Sequence, residues 1–191
     1  MPRSYCEEYE CGCIFSKKAI HLRDCFRMLW EQHVYWTRMV IISIAAASPD
    51  LEATTNRLLR NAPDFARLFN HFYGSRVASK FDQLLTDHLV IAADLVNAAK
   101  AGNSQAAAAA EKRWYTNADE IVYFLNCINP YWTRKHMREM WYEHLALTKA
   151  EAVARLNNDF EEDIAIFDKI EKEALMMADS FSNGIIRQFC L

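Results

Sequence analysis

The stretch RVASKFDQLLTDHLVIAADLVNAAKAG, Arg76 to Gly102, decides the fold. Val77, Phe81, Leu84, Ile91, Leu95 and Ala98 recur in it at three- and four-residue spacing. That is the period of one face of an α-helix. A single polar residue, His88, stands on the same face, and Gly102 supplies a stop signal. The pattern predicts a helix over 76–101 with an imidazole directed inward.

Two other segments repeat the arrangement. Leu22, Phe26, Leu29, His33, Trp36 and Val40 form one seam, and Met137, Met140, His144 and Leu147 another. The three histidines are 55 and 56 residues apart. Residues 61–102 align without a gap on 117–158: Asn61-Ala62 falls on Asn117-Ala118, Asn70 on Asn126, and His88-Leu89 on His144-Leu145. Such internal repetition predicts three helical hairpins, each opening with a histidine-bearing helix. The expected fold is therefore all-α, an antiparallel bundle of about six helices in one domain over residues 16–191.

The boundaries follow from local chemistry. Residues 1–15 form a distinct arm containing Cys6, Cys11 and Cys13. Ser16 caps a long helix running to about Ala47. Ser48-Pro49-Asp50 starts the next, which is expected to kink near Pro63 and to end at Tyr73-Gly74. Asn103 caps a helix that passes through the alanine run 106–110 to Ile128, and Asn129-Pro130 turns the chain. Thr148-Lys149-Ala150-Glu151 reads as a capping box that restarts a short helix after the one carrying His144. Asn157-Asn158-Asp159 breaks the chain before a last helix to about Arg187. Glycine and proline number only four each, and no segment alternates as a strand does.

Composition narrows the function. The net charge of −3, with no basic stripe, argues against nucleic acid. The longest apolar stretch, Met39 to Ala47, is too short to cross a membrane. The N-terminus has no apolar signal core, and the scattered cysteines read as reduced, so a cytoplasmic setting is expected. Cys6, Cys11 and Cys13 lack the paired CxxC spacing of a zinc finger. No P-loop, G-x-G-x-x-G, G-x-S-x-G or HExxH motif is present, so no catalytic class is indicated. A homo-oligomer is left open.

The histidines carry the functional expectation. Counted from the turns, His33, His88 and His144 fall near one level, since a helix rises 1.5 Å per residue. Asn61 and Asp64, Tyr115 and Glu120, and Asp168 and Glu171 fall near that level on the returning helices. Glu171 also lies on the apparent seam Phe160, Ile164, Phe167, Glu171, Ala174, Ala178, Phe181. A carboxylate there needs a partner or a cation. The candidate metal ligands are therefore His33, His88 and His144 with Glu171 or Asp168, and the candidate metals are zinc, iron and manganese. Such a bundle is ferritin-like in kind, but the Glu-x-x-His pairs of di-iron sites are absent. The rival expectation is a non-catalytic structural or interaction protein with a buried histidine layer. A weaker third is a small-molecule or oxygen-handling enzyme using the same metal.

From about Leu29 to Phe189, the segments LWEQHVYWTRM, TNRLLRN, HLVIAADLVNAAKAG, WYTNADEI, INPYW and GIIRQF carry a resemblance. The chain resembles a group of small all-helical bacterial proteins of uncharacterised role, often labelled acetylglutamate kinase. The resemblance implies the helical fold and supplies no functional residues. Kinase activity is not expected, because Gly12, Gly74, Gly102 and Gly184 form no phosphate-binding loop.

Overall fold

A computed structural model describes residues 16–191. The cysteines expected in an N-terminal arm lie outside the described residues. Among the described residues seven helices follow one another: α1 (Lys17–Ala46), α2 (Leu51–Leu59), α3 (Asn61–Tyr73), α4 (Ser75–Lys100), α5 (Ser104–Ile128), α6 (Arg134–Leu156) and α7 (Phe160–Phe189). No strand occurs among the described residues.

Ser16 and Asn103 cap as expected, whereas Ser48 does not: α2 begins at Leu51, after an Asp50 that makes no side-chain cap hydrogen bond. The Ser16 and Asn103 side chains accept from the backbone N–H groups of Ala19 and Ala106. Asn158, in the left-handed region at φ 60°, turns the chain between α6 and α7. α2 and α3 form one rod broken at Arg60, three residues before Pro63. Proline has no N–H for the Leu59 carbonyl and crowds it, which produces the expected kink. The predicted restart at Thr148 does not occur. α6 runs unbroken to Leu156, and Glu151 is buried against Arg38 rather than serving a cap.

Counting α2 and α3 as one rod, six rods form the antiparallel bundle. Each packs on the next in sequence, and α7 returns to α1 to close the ring. α1 also touches α4 and α6. The three histidine-bearing helices thus lie inside, and α2–α3, α5 and α7 fill the gaps between them.

The core has two halves. On one side of the histidines it is aromatic: Phe69 stacks on Phe81 at 4.2 Å between centroids, and Phe181 packs on Phe26 and Trp132. On the other side it is aliphatic, built on Val40, Ile41, Ile44, Leu58, Leu89 and Val96.

Candidate metal centre

His33 on α1, His88 on α4 and His144 on α6 are all buried. Their ring centroids are 5.4 to 6.4 Å apart, and one ring nitrogen from each lies within 4.8 Å of the others. The common level expected from the repeat is present.

Each imidazole is held from behind by the neighbouring outer helix. Asn61 Nδ2 donates to the Leu29 carbonyl at 3.0 Å, which turns its Oδ1 toward His33 Nδ1, also 3.0 Å away. Asn117 does the same on α5: Nδ2 donates to the Leu84 carbonyl, and Oδ1 lies 2.9 Å from His88 Nδ1. An amide oxygen only accepts, so the Nδ1 atoms of His33 and His88 carry the protons. The third partner is Glu173 of α7, whose Oε2 lies 3.0 Å from His144 Nδ1. A carboxylate or carbonyl behind each ring fixes the tautomer and leaves Nε2 as the ligating nitrogen.

Burial holds two of the rings neutral. His33 is pushed down to about 3, first by desolvation and then by His144, against the Asn61 hydrogen bond. His88 lies well below the ordinary imidazole range for the same reasons, with His33 adding to the effect. Neutral imidazole is the form that binds metal.

Tryptophans close the layer. Trp30 and Trp141, each three residues before a histidine, pack edge-on against the rings. Their indole N–H groups are buried without a partner, as is Glu173 Oε1. Trp114 donates from Nε1 to His88 Nε2 at 3.2 Å.

The other foreseen ligands lie elsewhere. Asp168 is exposed, and Glu171 is half-buried beside Glu31, whose carboxyl is raised first by desolvation and then by Glu171. Neither belongs to the histidine cluster. The buried face of α7 departs from the expected seam in its first turns: Phe160 and Ile164 are exposed, while Asp163 is buried between Arg38 and Arg155. The 56-residue interval from Asn61 to Asn117 leads on to Glu173.

No family matches. The chain fits no protein-family model, and neither a curated protein nor a solved structure matches it. Three buried imidazoles with ring nitrogens within 4.8 Å of one another, each backed by an acceptor, are a donor set for a borderline divalent metal. Among the described residues, Glu173 has no ion partner except His144. A cation on the far side of that ring would balance its charge.

Proposed function

We propose that the protein is a metal-binding helical bundle that holds zinc, iron or manganese through His33, His88 and His144. The observation that carries this reading is the convergence of three buried imidazoles beside a buried carboxylate. Glu173 would orient His144 and strengthen it as a donor, and Asn61 and Asn117 would do so more weakly for the other two. Tetrahedral zinc at 2.0–2.1 Å from each nitrogen spaces its ligands about 3.4 Å apart. The rings would therefore draw together, and Trp114 would release His88.

That tryptophan favours a second reading. Its N–H already occupies the His88 lone pair, as in a closed polar layer that fixes helix register without metal. In this reading His144 and Glu173 complete the layer through their own hydrogen bond.

Metal analysis of untagged protein, with and without a strong chelator, separates the two. Metal binding predicts near-stoichiometric metal and a melting temperature that falls on chelation. A ligand at one hundred times its dissociation constant adds about 2.7 kcal/mol. His88→Ala should lose the metal and the chelator response together. Glu173→Gln should weaken metal affinity roughly 10–100-fold. Metal-free protein with a chelator-insensitive melting temperature would leave the polar layer as the function of these residues.

A further inference from the structure

The aliphatic half of the core is not filled. A cavity of about 280 Å³ lies among α1, α2, α4, α5 and α6, beside the histidine layer. Its position follows from the sequence. Thr37 and Thr148 stand one turn beyond His33 and His144, Ala92 stands one turn beyond His88, and all three line it. Trp114 lines it too, so the indole bonded to His88 is part of the cavity wall.

Small side chains make the space. Ala107 and Ala108 come from the alanine run of α5, opposite Ala92 and Ala152. That run contributes more than helix propensity, since a longer side chain at Ala107 would enter the void. Ser104 and Ala108 are exposed, so the cavity reaches solvent at the end of the bundle. The lining carries one acid and one base, Glu111 and Lys149, and these pair with each other at 2.6 Å. No unbalanced charge is left to recognise an ion. The Thr37 hydroxyl already donates to the His33 carbonyl, and apart from the Ser104 and Thr148 hydroxyls and the Glu111–Lys149 pair the wall is apolar.

We propose that this cavity is a binding site for a small, uncharged, apolar molecule, such as a medium-length hydrocarbon chain, that enters from the end of the bundle and rests against Trp114. Pockets of this size and lining take apolar ligands, since burying each methylene gives about 0.8 kcal/mol. The site stands on the cavity alone. Its contact with Trp114 joins the ligand to the metal centre only if the preceding reading holds.

The test uses 1-decanol as the probe and decanoate as its charged counterpart, each titrated into the full chain by calorimetry. Decanol should bind at one site, and decanoate at least tenfold more weakly. In nuclear magnetic resonance spectra, the indole N–H signal lost in Trp114→Phe should move during the decanol titration, and that of Trp132 should stay. Ala107→Phe, which fills the void, should weaken decanol at least tenfold while melting at or above the wild-type temperature. Ala92→Leu provides a second filling variant should the first fail to fold. Metal content measured on the same samples reports on the histidines separately. Decanol binding that is absent, or unchanged in a folded filling variant, overturns the proposal. Equal binding of decanoate overturns its claim of an uncharged ligand.

Discussion

At the scale of the residue, burial keeps the His33 and His88 rings neutral. His33, depressed to about 3, binds its proton less tightly in the folded protein than in the unfolded chain, and His88 shares the direction. The stability from this difference is complete above about pH 6.5 and is lost progressively as the pH falls toward 3. Two such groups give a slope of up to about 2.7 kcal/mol per pH unit. Denaturant titrations in chelator between pH 7 and 4 measure it. His88→Gln should be less stable at pH 7 yet lose less per pH unit; parallel losses in the two proteins would show that these rings do not set the acid limit. The histidines themselves were legible in the sequence, because a polar residue on an apolar seam is conspicuous. Glu173 was not, because Phe160 and Ile164 suggested a different inner face for its helix.

At the scale of the element, α7 is fixed by two interactions that hydrophobic periodicity does not reveal. One is steric. A Cβ on Gly184 would come within 2.1 Å of Trp132 Nε1, and that indole is buried and donates to the Ser180 carbonyl. The ring has no room to withdraw, so Gly184→Ala should cost roughly 1–3 kcal/mol through overpacking. Thermal melts and the near-ultraviolet signal of Trp132 would register it, and a variant as stable as wild type would show that the ring moves freely. The other is electrostatic. Arg38 of α1 holds Glu151 of α6 at 2.5 Å and Asp163 of α7 at 2.7 Å. Desolvation outweighs Arg38 and lifts the Glu151 carboxyl to about 7. The folded state binds this proton more tightly than the unfolded chain. Its stabilisation is therefore full below about pH 4.5 and is lost as the pH rises through 7. Glu151→Gln should gain on the wild type across that window, by at most about 3 kcal/mol. Stability curves that stay parallel from pH 4.5 to 8 would refute this. The reading of 148–151 as a helix start failed for the same reason. A capping box and a buried ion-pair partner look alike until the facing helix is known.

At the scale of the molecule, the ring is completed by its last element. α7 packs on both α1 and α6, and brings Ala174, Met177, Ala178, Phe181 and Ile185 into the core with Glu173. A chain ending at Asp159 should lose its cooperative unfolding transition and its near-ultraviolet signal while keeping helical content, as loosely packed cores do. A sharp melt in that truncated chain would mean that five rods suffice. The overall architecture was the most legible level, because scarce glycine and proline, capped starts and one recurring seam all agree. Closure of α7 onto α1 was not written in local pattern, since it depends on contacts between distant parts of the chain. The unequal filling of the two halves has a mechanical consequence. Hydrostatic pressure favours states with less empty volume. The stacked rings around Phe69 offer little to compress, whereas the alanine-walled end can be flooded. Under rising pressure, the methyl signals of Ile44 and Val96 should therefore shift and broaden before the aromatic end responds, so that this bundle yields from one end.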